Sequence, residues 1–178
     1  MTRKLVWAIV AALVTIAVST GVVLSHNPKN DKNFKYTIGL WGDLPYSDLQ
    51  ATVGVPNLIA DMNDSDIEFS VHDGDLKVGS GVPGSATPTT CSDAMYVQAL
   101  GYLNALDKPA MVTPGDNDWV DCDRPANGSF NSLERLDHER QLFFKTNRSL
   151  GRHTLKQEVQ SEPPCRGVNG PTACVENS

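Results

Sequence analysis

The chain has 178 residues, enough for one domain of ordinary size. Its 15 Lys and Arg stand against 21 Asp and Glu, a net charge of −6 with no basic stripe, which argues against nucleic-acid binding. Hydrophobic residues make up 40%, sufficient for a packed core even when the apolar N-terminal run is set aside.

That run comes first in chain order. Arg3 and Lys4 precede an uncharged stretch from Leu5 to Val18, which continues through Ser19, Thr20 and Gly21 to Leu24. A basic start, an apolar middle and small residues make a secretory signal, with Ala17-Val18-Ser19 as the cleavage site. The same span is about long enough to stay in a bilayer as an anchor. Either way the remainder is expected outside the cytoplasm, with Arg3 and Lys4 left inside. Residues 1–24 thus read as signal or anchor and 25–35 as a polar linker, so any membrane contact is expected through the N-terminal segment alone.

Three strand signals follow. Phe34 to Trp41 alternates, is rich in β-formers and ends at Gly42-Asp43. Ile67 to Val71 ends at His72-Asp73-Gly74-Asp75, and Ala110 to Thr113 ends at Pro114-Gly115-Asp116. Helical patterns lie between and after them. Ser47 to Met62 has roughly helical apolar spacing, although Gly54 and Pro56 favour a start near Pro56. Ser92 to Leu106 repeats apolar residues at helical intervals, with Ser92 or Asp93 available as a cap. Ser132 to Phe144 follows Asn131, which has capping-box spacing to Glu134. Strand, helix, strand, helix, strand predicts an α/β fold, βαβαβ, with a mostly parallel sheet. Ligands of such sheets gather beyond the carboxyl ends of the strands, where all three Gly-Asp steps fall.

Asp43, Asp75 and Asp116 brought together would repel one another unless a cation or protons intervened. A divalent metal resolves the conflict, and oxygen donors suit hard or borderline ions. Against this, Asp after a strand is also an ordinary turn residue. Three such steps in successive βα units are harder to dismiss than one, and the pattern alone leaves both readings open.

Gly42-Asp43-Leu44-Pro45-Tyr46, His72-Asp73-Gly74-Asp75-Leu76-Lys77 and Pro114-Gly115-Asp116-Asn117-Asp118-Trp119 with Asp121-Cys122 resemble, in order, the motifs of the calcineurin-like metallophosphoesterases. The nearest likeness is to an exported branch with a PGDN-acidic-W third motif and a following DC. The resemblance runs from about Tyr36 to Gly151. It implies the front half of an α/β/β/α sandwich over residues 36–151, followed by a polar tail, 152–178, with two cysteines. It also implies hydrolysis of a phosphate-ester substrate by a water activated between two divalent or trivalent ions, Fe, Mn or Zn.

Carried over by position, Asp43 takes the place of a first-metal ligand and Asp75 that of the ligand bridging both metals. Asp116 stands at the second-metal asparagine and Asn117 at the histidine that protonates the leaving group. Shifting the register by one makes Asn117 the ligand and places Asp118 beside the chemistry. Pro45 stands where the family has a metal-binding histidine. The family's later Gly-His-x-His motif and second sheet have no counterpart here, so the sequence reads as truncated or degenerate, with activity reduced or lost. The alternative is an exported non-catalytic protein that binds a metal or a partner through the same loops.

The other polar residues carry blander expectations. Lys77 reads as a solvated loop lysine before a phosphate ligand, and His72 as a structural residue behind the site. His138 and His153 read as surface residues, Asp73 and Asp121 as turn residues, and Trp119 as either pocket wall or core. Cys91, Cys122, Cys165 and Cys174 allow three disulfide pairings. One closes a local loop between Cys165 and Cys174 and joins Cys91 to Cys122. No C-x-x-C spacing supports a zinc site. Asn63, Asn127 and Asn147 begin N-x-S sequons.

Overall fold

The computed structural model describes residues 36–157 together with the backbone of Arg166–Gly167 and Gly170–Pro171. The signal or anchor, the linker, Cys165 and Cys174 lie outside the described residues. The element order is β1 (Ile38–Trp41), α1 (Val55–Asp64), β2 (Phe69–His72), α2 (Asp93–Ala105), β3 (Ala110–Val112) and α3 (Ser132–Phe143). Three short 3-10 turns lie between Asp116 and Asn127. β1, β2 and β3 form a three-stranded parallel sheet in that spatial order. Trp41 is level with His72, and His72 with Val112, so the three strands end side by side. The result is a mixed α/β fold with a small open parallel sheet. β4 (Arg166–Gly167) and β5 (Gly170–Pro171) form a separate antiparallel pair.

α1 begins where the sequence places it, with Val55 and Pro56 as its first residues, but it does not begin from coil. The chain is already helical at Asp48 and passes through a π turn, Gln50–Gly54, before α1. There the Val55 N–H donates to Gln50 O, one residue further back than in an α-helix. Proline lacks an N–H and crowds the preceding turn, and the widened π turn just ahead of Pro56 relieves both constraints. The predicted cap of α3 is present: Asn131 Oδ1 accepts the Glu134 N–H at 3.1 Å. Ser92 precedes α2 without a side-chain cap, and its carbonyl accepts the Met95 N–H instead.

The core lies on one face of the sheet. Trp41, Ala110 and Val112 pack there against Val55, Ile59 and Met62 of α1, Met95, Tyr96, Ala99 and Leu103 of α2, and Phe143 of α3. Strand alternation turns Ile38, Leu40, Phe69, Val71 and Met111 to the other face. Ile38 is 46% and Leu40 68% exposed, and the other three are half-buried. Parallel sheets are ordinarily covered on both faces, which is why these strands read as nearly continuous apolar runs. At the β3 edge, Ala110 and Leu150 exchange hydrogen bonds of 2.9 and 2.8 Å.

Candidate functional site

The loops after β1, β2 and β3 meet at the carboxyl end of the sheet. Asp43 N donates to Gly74 O at 3.1 Å, and Thr113 N donates to His72 O at 2.9 Å. Their approach is close enough to require glycine. A Cβ on Gly115 would lie 2.2 Å from Asp75 N and Oδ1, and one on Gly74 would lie 2.5 Å from Gly115 N. Gly74 also has φ of 96°, a backbone region that side chains disfavour.

Two of the predicted carboxylates share one partner. The Tyr46 hydroxyl lies 2.8 Å from Asp43 Oδ1 and 3.1 Å from Asp75 Oδ2. Asp43 and Asp75 have φ of 55° and 58°, the left-handed region where non-glycine residues are uncommon and tend to cluster at functional sites. Asn117 joins them through its side-chain Nδ2, 2.9 Å from Asp75 Oδ2 and 3.3 Å from the Tyr46 hydroxyl, and through its N–H to Asp75 Oδ1 at 3.2 Å. Burial pushes the Asp75 carboxyl up from the usual carboxylate range, against the hydrogen bonds from Asn117 N and Tyr46. Burial, and then the hydrogen bond to Asp43, pushes the Tyr46 hydroxyl far above its ordinary value, so it stays protonated. Asp116 is exposed, near enough for its charge to contribute to the shift at Asp75.

Asp118 lies inside the loops. It is fully buried, and its carboxylate accepts the N–H groups of Gly115 at 2.8 Å, Asp75 at 3.0 Å and Leu76 at 2.6 Å. Burial raises its pKa, and these N–H groups act in the opposite sense. Asp118 thus ties the loop after β2 to the loop after β3. His72 plays a comparable part behind Asp43: it is 2% exposed, its Nδ1 accepts the Gly74 N–H at 3.1 Å, and its ring meets Trp41 edge-on at 4.5 Å. Burial depresses its pKa, so the ring is neutral.

Lys77 corrects the expectation of a solvated lysine. It is 1% exposed, and Nζ donates to Val78 O at 3.0 Å. Its ammonium shares the interior with the charges of Asp118, Asp121 and Asp75, while burial drives its pKa down. Asp121 is also buried and pairs with Arg124. His138 is half-buried against the Tyr96 ring, whereas His153 is exposed and touches Asp107 O. Trp119 is half-buried.

Cys91 and Cys122 form a disulfide with a Cα–Cα distance of 5.6 Å, joining the start of α2 to the third-motif loop. Tyr96 donates its hydroxyl to Asp118 O beside it. Arg135 from α3 bonds Cys91 O and Asp93 and lies over the rings of Tyr96 and Phe130.

Sequence reasoning missed Tyr46. The signal was present, since Tyr46 sits three residues after Asp43 in Gly42-Asp43-Leu44-Pro45-Tyr46. Asp43, Asp75 and Asn117 are brought together, Asp116 stays on the rim, and Asp118 is interior. Among the described residues, no three His, Cys, Asp or Glu side chains are close enough to enclose a metal ion. No described helix is long and apolar enough to cross a membrane. Comparison of the chain with protein-family models, curated proteins and solved structures gives no match.

Proposed function

We propose that the chain is an exported, metal-dependent hydrolase of phosphate esters, related to the calcineurin-like metallophosphoesterases and their sandwich fold. The observation that carries this reading is the meeting of Asp43 and Asp75, from different strand ends, on the Tyr46 hydroxyl. Two carboxylates held this close attract positive charge, and a hydroxyl proton is the weakest source of it. The donor set fits hard or borderline cations. Asp43 and Asp75 would hold one, and Asp75 with Asn117 and Asp116 would hold the second, with water or phosphate oxygen completing each. Such ions lower the pKa of a bound water and polarise phosphoryl oxygens.

The chain's own residues supply the positioning. Asp118 fixes the two loops, His72 braces the strand end, and Asn117 holds the Asp75 carboxylate through its backbone and side-chain N–H groups. The disulfide among the described residues accords with export to an oxidising compartment.

A second reading, an exported binding protein without turnover, draws support from Asn117. Its amide can donate hydrogen bonds but cannot give a proton to a leaving group at neutral pH. Mn2+ titration of the purified chain, together with release of nitrophenol from nitrophenyl phosphate, separates the two. The hydrolase reading expects Mn2+ binding that Asp43→Asn and Asp75→Asn weaken, and turnover that Asp75→Asn abolishes. Binding without turnover favours the second reading. A chain that takes up no Mn2+ defeats the hydrolase reading and leaves the second only as binding of a partner.

A further inference from the structure

Tyr46 also takes part in a second feature. It lines a cleft of about 280 Å3, together with Ser47, Val82, Pro83, Gly84 and Thr89. The far wall belongs to the segment 78–90, which is rich in Gly, Ser, Thr and Pro and contains no regular helix or strand. Such a segment is unconstrained by its own composition, yet here it is tied at several points. Asp48 accepts the Ser85 hydroxyl at 2.6 Å, the Ala86 N–H at 2.9 Å and the Thr87 hydroxyl at 2.7 Å. The buried Asn127 side chain accepts the Gly81 N–H at 2.8 Å and donates to Gly79 O at 2.9 Å. Val82 N donates to Thr89 Oγ1 at 2.9 Å across the loop. The Cys91–Cys122 disulfide fixes the segment's exit. The wall is therefore built in place before any ligand arrives.

We propose that this cleft receives the organic part of the phosphate ester, and that the part it takes is a compact, uncharged phenol or alcohol. The inference rests on the hydrolase reading of the carboxylate site. Tyr46 joins the two halves: its hydroxyl meets Asp43 and Asp75, and the same residue lines the cleft. An ester whose phosphorus lies at the carboxylates thus extends its leaving group past Tyr46 into the cleft. The volume is at the small end of ligand pockets, which suits one ring or a short polyol. Among the described residues lining the cleft, none is Lys, Arg or His. Asp48, the one carboxylate there, already accepts hydrogen bonds from Ser85, Ala86 and Thr87. A second phosphate would find no cation to meet it, whereas an apolar ring would meet Tyr46, Val82 and Pro83.

The test is calorimetric binding of phenyl phosphate and of inorganic phosphate to the full chain with Mn2+ present. Val82 is 48% exposed, so Val82→Trp fills the cleft without disturbing the core. Wild type is expected to bind phenyl phosphate about tenfold more tightly than inorganic phosphate. Val82→Trp is expected to erase that margin and leave inorganic phosphate unchanged, and Val82→Ala to keep most of it. A margin that survives in Val82→Trp, or a wild type with no margin, overturns the proposal. Phenyl phosphate bound with the margin but not hydrolysed supports the cleft and counts against the hydrolase reading, so the two fail separately.

Discussion

The carboxylate of Asp118 accepts the backbone N–H of Leu76 at 2.6 Å, although 42 positions separate them in sequence. The same carboxylate also takes the N–H groups of Asp75 and Gly115. One buried side chain thus satisfies three donors from two loops.

Asp118→Ala leaves those three donors without their acceptor. Each orphaned buried donor is costly, so the variant is expected to lose about 2–4 kcal/mol of stability. Urea denaturation followed by circular dichroism measures it. A midpoint equal to that of wild type would show that water or another side chain replaces the carboxylate.

The disulfide closes a loop of 31 residues. The chain-entropy model puts its contribution at about 3.7 kcal/mol. The double variant Cys91→Ser, Cys122→Ser, or wild type in reductant, should shift the denaturation midpoint by the corresponding amount. The loss should fall most heavily on the third-motif loop and segment 78–90, and hydrogen exchange would locate it.

Glu139 is fully buried on α3, and both of its carboxylate oxygens lack a hydrogen-bond partner. Burial, with the Asp118 charge adding and Arg140 opposing, holds its pKa well above the usual value. The folded state therefore keeps a proton that the unfolded state releases, and this group makes stability fall as pH rises above about 4.3. Glu139→Gln removes that dependence. It should be about 1–2 kcal/mol more stable than wild type at pH 8 and nearly equal at pH 4. Equal stabilities at both pH values would contradict the assignment.

Asp48→Ala removes the anchor of segment 78–90. The expected result is faster cleavage within that segment by a low concentration of protease, with the rest of the chain cut no faster. Phenyl phosphate binding should weaken in parallel, and inorganic phosphate binding should not.

Much of the architecture was legible in the sequence because it depends on local chemistry. β-formers ran into Gly-Asp steps at three places, and these are the three parallel strands. Asn131 with Glu134 announced the cap of α3. Pro56 marked the start of α1, but single-residue preference does not reveal the π turn that leads into it. The site was partly legible: the positions of Asp43 and Asp75 follow from strand order. The inward turn of Asp118 does not, since its acceptor role depends on where the Leu76 and Gly115 N–H groups point after folding. Lys77 was placed in solvent because lysine is rarely buried, and its burial among Asp75, Asp118 and Asp121 is a tertiary effect.

Asn127 is fully enclosed, its amide held by Gly79 O, Asp121 O and the Gly81 N–H. It is also the first residue of an N-x-S tripeptide. A sugar tree attached there during synthesis would have no room once the chain closes around that position. Production in yeast or animal cells therefore pits oligosaccharide transfer against folding at this asparagine, and a bacterial periplasm avoids the contest.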